Sequence, residues 1–160
     1  MDAQDLARYI EANGIDAEMV FLTETTPTVE AAAEAVGVQP AQIAKSVLFV
    51  VKEKEDGVRP QLVVSNGLSR VSYRMLADHL GISRKRVRMA RPPEVQEMTG
   101  YAVGTVPPFG HASPLPTLLD ASVMEQREVF AGGGAINALI RLSVADLQRV
   151  LNAEVVPLSE

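Results

Sequence analysis

Apolar and polar positions recur along this chain with the spacings of both helices and strands. Residues 3–12 repeat apolar side chains on one helical face, whereas residues 46–51 are apolar without alternation, which is typical of a strand buried on both faces. Thr28 and Ser72 are suited to capping helix N-termini, because their hydroxyls can accept hydrogen bonds from a first turn. The predicted helices cover 3–12, 29–36, 72–80, 92–99 and 144–152, and the predicted strands cover 17–22, 46–51, 61–65, 87–89, 118–119, 128–131 and 138–142.

The connections between these elements carry ordinary turn signals. Residues 40–44 predict one further helical turn, residues 53–57 a charged turn, and Asn66-Gly67 a tight turn. Residues 101–116 are rich in Gly and Pro and predict irregular structure. Since helices and strands interleave without an internal repeat, we expect an α/β fold of the α+β type. It would form one domain over residues 1–160, with a mixed, mostly antiparallel central sheet surrounded by helices.

Composition limits the classes of protein. The chain has 160 residues, 47% of them hydrophobic and 22% charged, which suits one folded domain with a real core. No cysteine is present, so disulfides and thiolate nucleophiles are excluded. The amino terminus does not resemble a signal peptide and no apolar run has the length of a membrane span, so we expect a cytoplasmic protein without membrane contact.

Familiar catalytic motifs are missing from the chain. It contains no G-x-S-x-G elbow, no P-loop and no H-E-x-x-H helix, and its two histidines, His79 and His111, are far apart in sequence. His111 is the better candidate for a site because it follows the Gly/Pro-rich segment. Neither a metal ion nor a cofactor is expected.

Lys45 is the most unusual charged residue, because it stands between the predicted turn at 40–44 and the buried strand at 46–51. A lysine in that position either extends its ammonium to the surface or projects into a pocket. Three consecutive glycines, Gly132, Gly133 and Gly134, follow the predicted strand at 128–131. Their backbone could approach a ligand closely, or it could simply form a hairpin or bulge.

The segment 104–110 reads Gly-Thr-Val-Pro-Pro-Phe-Gly and predicts a rigid loop. Pro107 and Pro108 have no N–H to donate. The remaining backbone donors belong to Thr105, Val106, Phe109 and Gly110. A rigid loop with unpaired donors can hold an oxyanion or a carbonyl, and an ordinary rigid connection is the alternative.

A basic run is the exception in an acidic chain with a net charge of −5. The net charge counts against extensive nucleic-acid contact. The run at 83–91 nevertheless concentrates positive charge at Arg84, Lys85, Arg86 and Arg88. It is either a solvated edge or a local contact for a nucleic-acid backbone.

Taken in order, these segments resemble the YbaK/ProX family of aminoacyl-tRNA editing domains over about residues 26–152. The resemblance rests on the following segments: Thr28-Val-Glu-Ala-Ala-Ala-Glu-Ala-Val-Gly37, Ile43-Ala-Lys-Ser-Val-Leu-Phe49, Arg70-Val71, Gly81, Glu94-Val95, Met98-Thr-Gly-Tyr101, Gly104-x-x-x-Pro108-x-Gly110, Leu115-Pro116, Asp120 and Val129-Phe-Ala-Gly-Gly-Gly134.

The resemblance implies a deacylase that hydrolyses the ester of mischarged aminoacyl-tRNA without a cofactor. The expected substrate is a small amino acid such as Ala, Ser or Cys on tRNA for proline. Lys45 and Asp120 would be catalytic, residues 104–111 and 132–134 would line the substrate pocket, and the basic run would contact the acceptor end. An aminoacyl-tRNA synthetase is a further candidate partner; the oligomeric state is not implied.

Two positions depart from the family pattern. Pro107 stands where many relatives have Ser, and Thr105 where many have Gly, so the loop is stiffer and leaves less room for an amino acid. Two other functions stay open at this point. One is a module that binds aminoacyl-tRNA or a synthetase without hydrolysis, and the other is a hydrolase of another small acyl ester or a nucleotide.

Overall fold

The computed structural model describes residues 1–55 and 57–160, which form five α-helices and eight strands. The helices are α1 Ala3–Ala12, α2 Val29–Val36, α3 Tyr73–Leu80, α4 Pro92–Thr99 and α5 Val144–Leu151. The strands are β1 Ala17–Phe21, β2 Ile43–Lys52, β3 Val58–Asn66, β4 Val87–Met89, β5 Thr117–Asp120, β6 Glu128–Gly132, β7 Ala138–Ser143 and β8 Glu154–Val156. The predicted fold class is confirmed, and the long segment between α4 and β5 is irregular as expected.

The strands form one mixed sheet in the order β1-β7-β6-β2-β3-β5-β8, with β4 also paired to β2. Four pairings are antiparallel and three are parallel. Residues 44–52 of β2 pair with β3 on one side. On its other side it pairs with β6 at residues 43–44 and with β4 at residues 49–51. In the described part of the chain, residues 45–47 therefore have a strand partner on one side only.

Helices cover both faces of the sheet because the strands alternate their side chains between two cores. On one face, Leu48 and Val64 pack with apolar side chains of α1, α4 and α5. On the other face, Phe49 packs beneath α3, and Ile43 packs beneath α2. Apolar side chains in both cores are removed from water, and this burial is the main force that stabilises the fold.

Several elements differ from the sequence-based expectation. β2 starts at Ile43, so Lys45 lies inside the strand and pairs with Ser65, instead of standing at its entrance. The predicted helical turn shortens to a 3₁₀ turn at Pro40–Gln42, because pairing with β3 and β6 draws the following residues into the sheet. β8 was not predicted, since three residues carry too little pattern. The predicted charged turn at 53–57 includes residue 56, which lies outside the described residues.

Asp120, at the end of β5, holds the carboxyl-terminal segment in place. Its buried carboxylate accepts hydrogen bonds from the Leu158 backbone N–H at 2.8 Å and the Ser159 hydroxyl at 2.7 Å, and a third from the Ser122 hydroxyl. The same segment bonds to the start of α3, where the Ser72 N–H donates to the Leu158 carbonyl at 2.8 Å. The Asp120 carboxylate thus connects β5, the carboxyl-terminal segment and α3.

We expect Asp120→Asn to lower the free energy of unfolding by about 1–3 kcal/mol, because an amide turns one of these acceptor oxygens into a donor inside a buried cluster of donors. Urea denaturation would show this as a lower midpoint with an unchanged slope. Asp78→Asn, on the exposed side of α3, is the matched control. An equal loss of stability in both variants would contradict the role given to Asp120.

Candidate functional site

Lys45 lies on the floor of a cleft between α2 and α3. By alternation along β2, its side chain shares a face with Ile43, which α2 covers, and with Phe49, which α3 covers. No helix of the described residues covers the position between them, and Lys45 is only half-buried. Two cavities meet there, and Lys45 lines both.

The smaller cavity lies on the α2 side and has a volume of about 140 Å³. Its lining is mostly apolar or backbone and comprises Thr26, Pro27, Thr28, Val29, Ala32, Ile43, Ala44, Lys45, Ser46, Gly104, Val106, Gly132 and Leu139. The Ser46 hydroxyl is buried and has no hydrogen-bond partner among the described residues. Because side chains alternate along β2, the Ser46 side chain points to the opposite face of the sheet from the Lys45 side chain.

Gly132 brings the 104–106 segment against the sheet. A Cβ at this position would lie 2.3 Å from the Val106 carbonyl oxygen, so no other residue fits without moving the backbone. The Gly134 N–H donates to the Thr105 carbonyl at 3.0 Å and fixes the same contact. The glycine run thus shapes the wall of the small cavity, and Gly132 also lines it.

The larger cavity lies on the α3 side and has a volume of about 710 Å³. It is lined by Lys45, Val47, Phe49, Arg70, Val71, Ser72, Tyr73, Arg74, Arg84 and Met89. The Ser72 side chain caps α3 by accepting from the Met75 N–H, which sets the position of the neighbouring arginines.

The charge of Lys45 is set by its surroundings. Burial lowers the pKa of the Lys45 ammonium, the positive charge of Arg70 lowers it further, and the carboxylate of Glu30 raises it. Arg70 and Glu30 therefore shift the pKa of Lys45 in opposite directions.

Only part of the predicted 104–111 loop reaches Lys45. Gly104 and Val106 line the small cavity. The Thr105 N–H is not free as predicted, because it donates to the Ala102 carbonyl at 3.0 Å. Phe109 stacks on Tyr9 of α1 with ring centroids 6.0 Å apart.

The last residues of the loop belong to a separate cavity against α1, lined in part by Pro108, Phe109, Gly110 and His111. His111 Nε2 lies 2.7 Å from the Pro107 carbonyl oxygen, and burial lowers the pKa of its imidazole. The structure does not bring Pro107, Pro108, Phe109, Gly110 or His111 to the cleft of Lys45, because α1 packs on this half of the loop.

Asp120 also differs from its predicted place. It lies at the end of β5, and its carboxylate is occupied by the hydrogen bonds to Ser122, Leu158 and Ser159. It is absent from both cavities of the cleft. Gly133 likewise supports the turn after β6, where its N–H donates to the Ala138 carbonyl at 3.0 Å.

Among the described residues, the basic run divides into cations that pair with a carboxylate and cations that do not. Arg88 forms two hydrogen bonds with Glu94, at 2.8 and 2.9 Å, which lower the pKa of Glu94 to about 2. Arg86 donates to the Lys52 carbonyl at 2.7 Å and pairs with Glu53. Arg84 instead lines the larger cavity, with its guanidinium 4.5 Å from the centre of the Tyr73 ring. Lys85 is exposed and lines neither cavity.

Sequence reasoning missed the arginines on the α3 side. Arg70 precedes the Ser72 cap and Arg74 lies in the first turn of α3, so the predicted helix start gives their positions in the chain. It does not show that they share a cleft with Lys45. The pairing of Lys45 with Ser65 of β3, the strand before α3, brings them to the same cleft.

Within residues 1–55 and 57–160, no group of three or more His, Asp or Glu side chains is placed to hold a metal ion. The helices described here are all too short or too polar to cross a membrane.

The fold and the cleft agree with a known class of protein. Residues 23–150 match the family model of the aminoacyl-tRNA editing domain. The chain belongs to this family, whose members include aminoacyl-tRNA deacylases, and the predicted resemblance is confirmed.

Individual relatives extend over almost the whole chain. The Ser/Thr-tRNA deacylase ProXp-y of Escherichia coli K12 is 30% identical over 155 residues, covering 96% of this chain and 90% of the relative. The uncharacterised protein YwhH of Bacillus subtilis is 34% identical over 123 residues, covering 77% of this chain and 74% of the relative. A solved structure of a candidate trans-editing enzyme for prolyl tRNA synthetase is 34% identical, with a TM-score of 0.88 over 99% of this chain and 96% of that one.

The opposing charges around Lys45 give a testable result. Arg70→Gln removes a like charge and should raise the pKa of Lys45, whereas Glu30→Gln removes an opposite charge and should lower it. NMR titration of the Lys45 side-chain methylene next to the ammonium measures both shifts.

Arg141→Gln, in β7 next to the edge strand β1, changes the net charge by the same amount as Arg70→Gln and should leave the titration of Lys45 where it is. Shifts of the same sign in Arg70→Gln and Glu30→Gln would contradict the arrangement.

Proposed function

We propose that this protein is a trans-editing deacylase that hydrolyses a small amino acid, Ala, Ser or Cys, from mischarged tRNA for proline, with Lys45 as the central catalytic residue. The observation on which this depends is the position of Lys45 where a small, mostly apolar cavity meets a large, positively charged one. An aminoacyl-tRNA has two matching parts, because a small amino-acid side chain lies on one side of its ester and a polyanion lies on the other.

The size of the small cavity supports a small amino acid. Ligand sites for ordinary small molecules have volumes of about 300–1,000 Å³, and a volume of about 140 Å³ is well below that range. Val29 and Ala32 of α2 and Leu139 of β7 limit its walls. A side chain larger than these walls permit would be excluded, which is how an editing site spares the correctly attached amino acid.

The chemistry required is modest, because an aminoacyl ester is already activated towards hydrolysis. As water or a substrate hydroxyl attacks the carbonyl carbon, negative charge develops on the carbonyl oxygen. The ammonium of Lys45 would stabilise that charge, and its half-buried position would strengthen the effect compared with an exposed lysine.

The tRNA for proline is supported by similarity alone. The solved structure with a TM-score of 0.88 is described as a candidate trans-editing enzyme for prolyl tRNA synthetase. The name of the E. coli relative assigns it Ser and Thr, of which Ser is among the amino acids proposed here.

Removal of the Lys45 charge tests the role of this residue. Lys45→Ala should lower kcat/KM for deacylation of Ser- or Ala-tRNA for proline by about 10²–10³-fold, the usual loss when one oxyanion-stabilising group is removed. A panel of charged tRNAs measures hydrolysis, and a separate assay measures binding.

Lys52→Ala is the matched control, because Lys52 is exposed at the other end of the same strand and makes the same charge change. Near wild-type hydrolysis by Lys45→Ala would remove Lys45 from the mechanism. A wild-type protein that binds these tRNAs and hydrolyses none would instead be a binding module.

The small cavity predicts which substitution relaxes specificity. Val29→Ala removes two methyl groups from the wall and should raise the ratio of kcat/KM for Thr-tRNA over Ala-tRNA by at least about 10-fold, since a single methylene in an apolar pocket is worth about 10–200-fold. Val38→Ala removes the same atoms from the same apolar cluster but outside the cavity, so the ratio should stay at its wild-type value. Equal ratios in the two variants would contradict the assignment of this cavity to the amino acid.

A further inference from the structure

Lys45 differs from the other three lysines of the chain in its surroundings. Lys52, Lys54 and Lys85 are exposed and line neither cavity of the cleft, whereas Lys45 is half-buried and lines both. Burial and the nearby charge of Arg70 lower the pKa of the Lys45 ammonium. Lys45 therefore occurs as the neutral amine more often than an ordinary lysine does, and the neutral amine is the form that attacks electrophilic carbon.

The larger cavity provides a place for an anion next to this amine. Among the described residues, the charged side chains that line it are all cations, namely Lys45, Arg70, Arg74 and Arg84. No ion pair in the described part of the chain includes any of these three arginines. Glu160 shares a surface with Arg70 only in a separate cavity. A guanidinium binds a phosphate group through its charge and two parallel N–H donors, so a small phosphate compound would be held beside Lys45.

The smaller cavity, on the other side of Lys45, is suited to a short acyl group. Its volume is about 140 Å³, and its walls include the apolar side chains of Val29, Ala32 and Leu139. A compound with its phosphate in the larger cavity and its acyl chain in the smaller one would have its carbonyl carbon at Lys45. Holding an amine and a carbonyl carbon together in this way is a main source of rate acceleration.

We propose that Lys45 is a site of acylation by small acyl phosphates. The neutral amine of Lys45 attacks the carbonyl carbon, an N–C bond forms, and the C–O bond to the phosphate breaks. The phosphate leaves with the electron pair of that bond, the amine proton passes to water, and the lysine becomes a neutral amide.

Acylation removes the positive charge of Lys45 and places an acyl group in the small cavity. A site that needs this charge would thereby be switched off while the small acyl phosphate is abundant. Acylation itself needs no tRNA, and only its effect on hydrolysis rests on the proposed function.

The test treats the full chain with acetyl phosphate and measures the acetylated fraction of each lysine over time by mass spectrometry. Lys45 should be acetylated at least about 10-fold faster than Lys52, Lys54 or Lys85, the effect of one hydrogen bond to a charged group. The neutral reagent p-nitrophenyl acetate carries the same acyl group without a phosphate. Its preference for Lys45 should be smaller, because the arginines have no anion to hold.

Single substitutions separate the binding of the phosphate from the reactivity of the amine. The charged and titratable groups around Lys45 are Glu30, Arg70, Tyr73, Arg74 and Arg84. Arg70 and Glu30, rather than Arg74, are the charges that shift the pKa of Lys45. Arg74→Gln should therefore slow acetylation of Lys45 by acetyl phosphate about 10–100-fold and leave acetylation by p-nitrophenyl acetate unchanged.

Glu30→Gln removes the carboxylate that raises the pKa of Lys45, so it should speed acetylation of Lys45 by both reagents. Arg141→Gln is the matched control for charge, because Arg141 lies in β7 and pairs with Glu128, and it should change neither rate.

Three outcomes would overturn the proposed acylation: equal acetylation of Lys45 and the exposed lysines, an equal preference for Lys45 with both reagents, or an equal slowing by both reagents in Arg74→Gln. If acetyl phosphate prefers Lys45 and the wild-type protein hydrolyses no charged tRNA, the acylation stands and the proposed function fails. If the wild type hydrolyses charged tRNA and Lys45 reacts no faster than Lys52, the reverse holds.

Discussion

The cleft depends on the way β2 is paired and covered. β3 pairs with residues 44–52 of β2, while β6 and β4 share the opposite edge of β2 and leave residues 45–47 between them. On the face of the sheet where Lys45 lies, α2 covers one end of β2 and α3 covers the other. A polar residue at the uncovered position keeps access to solvent, and a lysine there avoids the large cost of full burial. The site thus exists because α2 and α3 cover the two ends of β2 and leave the position of Lys45 between them uncovered.

The two walls of the cleft differ in chemistry because they come from different kinds of segment. The α2 side is built of small apolar residues and of backbone, with Gly132 permitting the Val106 carbonyl to approach. The α3 side begins with a helix cap preceded and followed by arginines. An apolar wall selects by shape, and a charged wall selects by electrostatics. Lys45 lies between the two walls and would therefore meet a substrate that has both a small apolar part and a negatively charged part.

Asp120 and the second half of the 104–111 loop support the structure around the cleft. Asp120 joins the carboxyl-terminal segment to β5, and that segment bonds to the residue that caps α3. Phe109 and Gly110 pack against α1 and so anchor the loop whose first half reaches the small cavity. These residues position the walls of the cleft without lining it.

The sequence by itself determined the helices with clear caps, the buried central strand, the fold class and the family, since each depends on local pattern or on the order of motifs. It also singled out Lys45. Only the tertiary structure decided that Lys45 lies within β2, that Arg70 and Arg74 share its cleft, and that Arg86 and Arg88 are neutralised by Glu53 and Glu94. Those facts depend on strand register and on contacts between segments far apart in the chain, and local periodicity holds no information about either.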